Sequence, residues 1–87
     1  MLKREATDVN NQYIAGLNYE NGWGVPQDFV EAAKWYQRAA DQGHLSAQYM
    51  LGHIYEKGRG VLKDDIEAVK WWRLAAEQSY LHAHDIG

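Results

Sequence analysis

The chain contains no cysteine, a single proline and few basic residues, and these shortages exclude several classes of site and partner. Without cysteine there can be neither disulfide bridges nor thiolate metal sites, and the redox compartment is left open. The 9 lysines and arginines are outnumbered by 12 aspartates and glutamates, which gives a net charge of -3. Nucleic-acid binding normally needs a basic face that displaces counterions, so we expect no nucleic-acid partner.

Long apolar runs are also missing from the sequence. No stretch approaches the roughly 18 apolar residues that cross a bilayer, so we expect no membrane contact. The N-terminal segment MLKREATDVN lacks the apolar stretch of a signal peptide. As written, the sequence therefore predicts a cytoplasmic protein. A chain from which a leader had been removed would read the same way, and it would be periplasmic or secreted.

The most informative feature of the chain is a segment that occurs almost twice. Residues 12–45 align with residues 48–81 without a gap. Periods of this size are typical of repeat architectures, in which each unit buries its apolar face by stacking on a neighbour. The identical pairs include Gly16/Gly52, Tyr19/Tyr55, Gly22/Gly58, Gly24/Gly60, Val25/Val61, Asp28/Asp64, Ala32/Ala68, Lys34/Lys70, Trp35/Trp71, Ala39/Ala75 and Ala40/Ala76.

Each copy has the sequence pattern of a helical hairpin. In the second copy, apolar residues recur at the spacing of one helix face at Ala47, Met50, Leu51, Ile54 and Tyr55. Gly58 follows at the position where a helix ends in a left-handed residue. Asp64, with Glu67 three residues later, has the spacing of a capping box that opens the next helix. We therefore predict an all-α fold with main helices over residues 9–21, 28–42, 46–57 and 64–78, and a short C-terminal turn or helix.

Glycines and aromatic residues inside these helices indicate how the helices meet. Gly16 and Gly52 lie within predicted helices, where glycine costs about 1 kcal/mol relative to alanine. The expected reason is the close passage of a neighbouring helix. Trp35, Trp71 and Trp72 fall on the apolar stripes and are expected to pack in the core.

The spaced pattern A-x-x-x-L-G-x-x-Y-x-x-G-x-G-V-x-x-D-x-x-x-A-x-x-W-[YW]-x-x-A-A-x-x-G resembles the Sel1-like repeat, a relative of the tetratricopeptide repeat. In the second copy it is carried by Ala47, Leu51, Gly52, Tyr55, Gly58, Gly60, Val61, Asp64, Ala68, Trp71, Trp72, Ala75 and Ala76. The resemblance implies a right-handed α-solenoid of about two helix-turn-helix repeats and, for most members, an adaptor role in protein–protein contacts. Bacterial members include secreted or periplasmic proteins and proteins thought to neutralise toxins. On this basis residues 1–87 form one domain, with repeats near 10–45 and 46–81 and a partial third repeat at 82–87.

The first repeat departs from the pattern in a way that suggests an end of the stack. Asn11 and Asn18 stand where the second repeat has Ala47 and Ile54. Those positions are expected to face a preceding unit, and polar residues there indicate an N-terminal cap.

The C-terminal end departs from the pattern at Ser79, which stands where a terminal glycine is usual. A left-handed serine is strained, so Ser79→Gly is expected to be slightly stabilising if the helix ends there. Residues Leu81, Ala83 and Ile86 would then begin a stub that lies over Trp72 and Leu74. The apolar set at this end predicts a possible two-fold homodimer through Trp72, Leu74, Leu81 and Ile86.

Nothing in the sequence has the spacing of an active site. The histidines His44, His53, His82 and His84 form no cluster with ligand spacing, so we expect no metal site. The G-x-G-V motif lacks the remaining parts of a phosphate loop, and Glu20 and Glu56 have no base or nucleophile at a recognisable spacing. We therefore expect that the protein binds no cofactor and is not an enzyme.

The candidate binding residues follow from the resemblance. In tetratricopeptide relatives the first helix of each unit lines the concave side, and helical spacing then selects one stripe: Tyr13, Leu17, Glu20, Asn21, Tyr49, His53, Glu56 and Lys57. This mixture suits a peptide or a partner helix, although Tyr13 and Tyr49 could instead only pad the helix interface. Trp23, between two turn glycines, is either a contact residue or folds back as a lid.

Three hypotheses for function remain. The first is a protein-binding module that recognises a peptide or partner helix on its concave face. The second is a structural or self-associating unit, either a fragment of a longer array or an isolated repeat. The third, an immunity protein against a toxin, rests on family analogy alone.

Overall fold

The structure is a computed structural model that describes the backbone of residues 8–86 and the side chains of residues 8–81. The regular structure of the described chain consists of four helices: α1 (Val9–Asn21), α2 (Phe29–Asp41), α3 (Leu45–Lys57) and α4 (Asp65–Ile86). The predicted all-α fold is confirmed, and the predicted bounds of the first three helices are right to within one residue. Among the described residues, no helix is both long and apolar enough to span a membrane.

The predicted N-terminal caps form in both repeats. A carboxylate oxygen of Asp28 accepts a hydrogen bond from the Glu31 amide at 3.1 Å, and Asp64 accepts one from the Glu67 amide at 3.0 Å. Each cap satisfies a backbone N–H group that would otherwise have no partner in the first turn of its helix.

The two turns that follow the first helices are also alike. Gly22 ends α1 with φ 71° and Gly58 ends α3 with φ 68°, a region that only glycine enters without strain. The turns are then closed by the capping aspartates themselves. The amide of Asp28 donates to the carbonyl of Tyr19 at 2.8 Å, and that of Asp64 donates to Tyr55 at 2.9 Å.

The third helix begins with a cap that the sequence pattern did not predict. The Nδ1 atom of His44 accepts a hydrogen bond from the Ala47 amide at 3.2 Å. Its Nε2 atom lies 3.0 Å from Oδ1 of Asn10 and must therefore be the donor of that pair. The imidazole also stacks on Tyr13, with ring centroids 4.7 Å apart. His44 is thus held as the neutral ring, and burial lowers its pKa below the usual value.

The core lies between the two hairpins and is rich in alanine. α1 packs on α2, α3 packs on α4, and α2 joins the hairpins by packing on α3. Small side chains allow these close approaches, while Tyr36, Leu51 and Trp71 fill the remaining space. The buried apolar residues are Ala32, Ala33, Tyr36, Ala39, Ala40, Ala47, Leu51, Ile54, Ala68, Trp71 and Ala75.

The two helix-interior glycines are explained by aromatic rings packed against them. A methyl group on Gly16 would lie 2.7 Å from Cδ1 of Tyr36. One on Gly52 would overlap Nε1 of Trp72. The expectation of close passage is confirmed, and the side chain of the second helix is the part that approaches.

The three tryptophans of the apolar stripes have different environments. Trp71 is 6% exposed and belongs to the core. Trp72 packs on Gly52 and keeps one edge near the surface. Trp35 lies at the edge of the core and is partly exposed, with the Arg38 guanidinium 4.5 Å above its ring. The prediction of core packing is therefore correct for Trp71. For Trp35 it is wrong in part, because that side chain is partly exposed.

The last helix does not end where the repeat pattern placed its end. α4 has 22 residues, against 13 for each of the other helices, and it runs through Ser79 without a break. In the first repeat the equivalent residue is Gly43, which turns the chain with φ 89°. Serine lacks that freedom, so the helix continues. The predicted left-handed Ser79 is wrong, and so is a stub folded back over Trp72 and Leu74.

The C-terminal segment is helical, as expected, but it is the end of α4 rather than a separate element. The side chains of Ala83 and Ile86, and those of His82 and His84, lie outside the described residues.

Candidate functional site

The first half of the predicted stripe, on α1, is largely engaged within the protein. Tyr13 and Leu17 are partly buried against the core. Glu20 accepts a 2.6 Å hydrogen bond from the Tyr36 hydroxyl. The amide of Asn21 donates to the carbonyl of Leu17 at 2.8 Å. These side chains support the hairpin, and of the four Tyr13 also lines the groove described below.

The second half of the stripe, on α3, faces outward. Tyr49 is 56% exposed, and its ring meets His53 edge-on at a centroid distance of 5.1 Å. His53 in turn meets Trp72 edge-on at 5.3 Å. Glu56 lies 3.8 Å from Nδ1 of His53, and both Glu56 and Lys57 are exposed. The three rings therefore hold one another in place while Tyr49 stays open to a ligand.

A groove of about 390 Å³ opens beside Tyr49, and we call it the aromatic groove. α1 contributes one residue, the N-terminal half of α3 forms one wall, and α4 forms the other. Its lining consists of Tyr13, Leu45, Ser46, Tyr49, Met50, Trp72, Ala75, Ala76 and Ser79. None of these residues is charged, and their hydroxyl groups provide the hydrogen-bonding capacity of the lining.

The structure thus brings together only two of the eight stripe residues, Tyr13 and Tyr49, in this groove. The sequence analysis missed the α4 wall, where the small side chains of Ala76 and Ser79 leave room opposite Tyr49. The signal that could have found it is the A-A pair followed by Ser79, which places small residues along one side of a helix that continues.

Glu20 links the two hairpins rather than facing a ligand. Besides the bond from Tyr36, its carboxylate lies 3.8 Å from the guanidinium of Arg59, in the turn after α3. That guanidinium also lies over the Phe29 ring at 5.0 Å. Burial and the bond to Glu20 raise the pKa of the Tyr36 hydroxyl, which stays protonated as the donor.

Trp23 is 59% exposed, so it does not fold back as a lid. It lies in the turn at the C-terminal end of α1, whereas Tyr13 and the aromatic groove are near the N-terminal end of that helix. Trp23 is therefore a possible contact residue of a separate surface.

A pair of glutamine contacts, also missed from the sequence, repeats in the two hairpins. Gln42 donates to the side-chain oxygen of Gln12 at 2.7 Å, and Gln78 donates to that of Gln48 at 3.1 Å. The buried Gln48 also donates to the carbonyl of Ala40 at 3.3 Å. Its amide thereby joins α2, α3 and α4 beside the aromatic groove.

Among the described residues, no group of three or more histidine, aspartate and glutamate side chains is placed to hold a metal ion. The arrangement of the aromatic groove is suited to binding an apolar group rather than to transferring a proton or activating a nucleophile.

The family follows from the repeats themselves. The family model described as the Sel1 repeat matches residues 12–44 and 45–80. The chain belongs to the Sel1 repeat family. Proteins of this family are generally protein-interaction scaffolds and typically not enzymes. No curated protein sequence gives a significant match to this chain.

Three solved structures of longer proteins have the same right-handed α-solenoid fold. A protective antigen of uropathogenic Escherichia coli strains, which displays an SLR fold, is 50% identical, with a TM-score of 0.82 over 85% of this chain and 16% of its own. A Sel1 repeat protein from Oxalobacter formigenes is 45% identical, with a TM-score of 0.82 over 84% of this chain and 30% of its own.

The third structure, cysteine rich protein B from Helicobacter pylori, is 32% identical, with a TM-score of 0.79 over 84% of this chain and 55% of its own. This Sel1 repeat chain therefore spans between 16% and 55% of the length of the three proteins.

Proposed function

We propose that this protein is an interaction module that binds an extended peptide, or one exposed helix, of a partner protein on its concave face. The binding site is the aromatic groove. The observation that carries the proposal is the uncharged lining around Tyr49, which is 56% exposed although its ring is held by an edge-on contact with His53.

Exposed aromatic residues of this kind are effective binding groups. Tyrosine and tryptophan are over-represented among the residues that dominate binding energies at interfaces, since they bury a large area with few rotatable bonds. Burial of apolar surface contributes roughly 25 cal/mol per Å². Because His53 already holds Tyr49 and Trp72, little side-chain entropy is lost when a ligand binds.

The size of the groove indicates what enters it. About 390 Å³ is near the lower end of the range for ligand pockets. It accommodates one or two large apolar side chains of a partner, with the partner backbone lying outside. His53, Glu56 and Lys57 continue from the groove along α3 and offer polar contacts for the flanking residues of a peptide.

The test uses peptides selected from a displayed random library on the immobilised protein. Their affinities are then measured for the wild type and three variants. Tyr49→Ala removes the central ring, and Ala76→Leu fills the groove from α4. Leu62→Ala is the matched control, because Leu62 is 90% exposed and lies outside the groove.

We expect Tyr49→Ala and Ala76→Leu to weaken binding by about tenfold or more, as for interface residues of this type, and Leu62→Ala to have no effect. Peptides that bind all four proteins equally would contradict the proposal and place the contact elsewhere, with the exposed Trp23 turn as the first alternative to test.

A further inference from the structure

One side of α4 carries large apolar side chains that are exposed. We call the α4 outer face the surface formed by Ile66, Val69, Arg73, Leu74, Glu77 and Leu81. The exposed fractions of Ile66, Val69, Leu74 and Leu81 are 84%, 48%, 40% and 63%. The buried residues of α4 lie on the opposite side of the helix, so this stripe is separate from the core and also from the aromatic groove.

In the first hairpin the following repeat covers part of the equivalent face, although Val30, the equivalent of Ile66, is still 50% exposed. Ala33, the repeat equivalent of Val69, is only 5% exposed, because α3 and the turn after it lie against α2. That turn contributes Gly60 and Val61 to the depression that Val30 and Ala33 line on α2. In the second hairpin, no further helix of the described chain covers the equivalent positions.

The charges on this face indicate the occupant. Arg73 and Glu77 lie one helical turn apart near the middle of the exposed stripe. Within the described residues, neither has an ion-pair partner within 4.0 Å. Asp65 and Lys70 also line this face, but each is already paired, Asp65 with Lys63 at 2.8 Å and Lys70 with Glu67 at 3.3 Å. Arg73 and Glu77 are therefore the charges of this face that a second copy can pair, because a cation and an anion placed about a common centre meet each other's copies after a half rotation.

We infer that the α4 outer face is a self-association surface, on which a second copy of this chain packs its own α4 in the antiparallel direction around a two-fold axis. The axis passes between Arg73 and Glu77. Arg73 then meets Glu77 of the second copy, and Glu77 meets its Arg73. The same register brings Val69 opposite Leu81 of the second copy, so this apolar pair forms once on each side of the ion pairs.

Other arrangements of two copies fit this face less well. In a parallel pair the like charges would meet, which is unfavourable in a desolvated contact. In a head-to-tail stack the second copy would present α1, which carries Asn11 and Asn18 where α3 has Ala47 and Ile54. Ile14, between them, is 47% exposed, so α1 offers the stripe one exposed apolar side chain with a polar side chain on either side.

The two-fold contact differs from the homodimer expected from the sequence, because Trp72 packs on Gly52 and lines the aromatic groove. Ile66 and Val69 replace Trp72 as apolar residues of the contact surface. The face from Ile66 to Leu81 is about 24 Å long at 1.5 Å per residue.

The test is a charge exchange, followed by sedimentation equilibrium over a range of protein concentrations at low salt. Arg73→Glu and Glu77→Arg are made singly, and the two purified variants are also mixed in equal amounts. Both side chains are on the surface, and circular dichroism of each variant shows whether it is folded. Trp23→Ala, on the opposite end of the solenoid, is the control.

We expect the wild type and Trp23→Ala to dimerise, and each single charge variant to dimerise at least tenfold more weakly. The equimolar mixture should dimerise again, because every glutamate then meets an arginine. Three results would each overturn the inference: a wild type that stays monomeric up to millimolar concentration, a dimer that survives both single exchanges, or a mixture that stays monomeric.

Discussion

The hydroxyl group of Tyr36 donates a 2.6 Å hydrogen bond to the carboxylate of Glu20, and this bond has no equivalent in the second repeat. At the matching position Trp72 packs on Gly52, and its indole N–H is buried without an acceptor among the described residues. The counterpart of Glu20 is Glu56, which lies beside His53 instead. In both repeats, a glycine inside the first helix leaves room for an aromatic ring of the second helix. The first repeat fixes its Tyr36 ring with a hydrogen bond, and the second repeat fills the space with the larger ring of Trp72.

The Tyr36 hydroxyl is expected to contribute to stability. Tyr36→Phe leaves the partly buried Glu20 carboxylate without its closest donor, so we expect a loss of about 1–2 kcal/mol in the free energy of unfolding. Urea denaturation measures this loss. Tyr49→Phe is the matched control, because that residue is largely exposed, and its effect should be within about 0.5 kcal/mol. Equal effects of the two substitutions would show that the bond to Glu20 is not stabilising.

The glycine at position 52 is expected to be required only while Trp72 is present. Gly52→Ala should destabilise the protein by about 1–3 kcal/mol, because the new methyl group overlaps the indole. In a Trp72→Ala background the same change should become stabilising by up to about 1 kcal/mol, the difference in helix propensity. Urea denaturation of the four proteins of this cycle tests the reversal of sign. If Gly52→Ala is destabilising in both backgrounds, the contact between Gly52 and Trp72 does not explain the glycine.

Stability should fall in mildly acidic solution because of His44. Burial lowers its pKa in the folded protein, and Nδ1 must be unprotonated to cap α3. The unfolded chain therefore binds this proton more readily than the folded one. The contribution of neutral His44 to the free energy of unfolding is complete above the ordinary pKa of 6.5. It is lost as the pH falls from 6.5 through the lower pKa of the folded state.

The measurement for this prediction is the free energy of unfolding at pH 7.5 and at lower pH values. His44→Asn is the control variant, since asparagine can cap the helix without titrating. Its stability should change less with pH than that of the wild type. If both proteins show the same dependence on pH, other groups are responsible.

Ser79→Gly is now expected to be destabilising, contrary to the expectation from the repeat pattern. Ser79 lies in the interior of α4, where glycine is about 0.5 kcal/mol less favourable than serine. Thermal denaturation followed by circular dichroism should give a lower midpoint and a smaller helical signal. Ser79→Ala is the control, because alanine removes the same hydroxyl group but is more favourable than glycine in a helix interior. An increase in stability with glycine would mean that α4 prefers to break at this position.

Local sequence signals predicted much of this fold, because caps and turns depend on only a few neighbouring residues. Asp28, Asp64, Gly22 and Gly58 identified the ends of helices correctly. The cap formed by His44 was missed, since its ring is held by Asn10 and Tyr13 from another helix.

The site was predicted less completely than the fold. Helical spacing placed Tyr13 and Tyr49 on the correct face. The spacing along one helix does not show, however, whether the side chains of neighbouring helices cover that face or leave it accessible to a ligand. The aromatic groove exists because α4 supplies Ala76 and Ser79 as its second wall. Glu20 has the same spacing and is nevertheless engaged by Tyr36 and Arg59, which only the tertiary structure reveals.

The packing of each helix mainly on its neighbours in sequence has a consequence for the rate of folding. Chains dominated by such local contacts close only short loops on the way to the native state, and helical proteins of this type fold in about microseconds to milliseconds. Each hairpin can form from its own two helices, whereas Ala39 and Ala40 stay uncovered until α2 and α3 meet. The docking of the two hairpins is therefore expected to follow their formation. Stopped-flow fluorescence of Trp71 and Trp72, compared with a probe placed at Trp35, would show whether either hairpin lags behind the other.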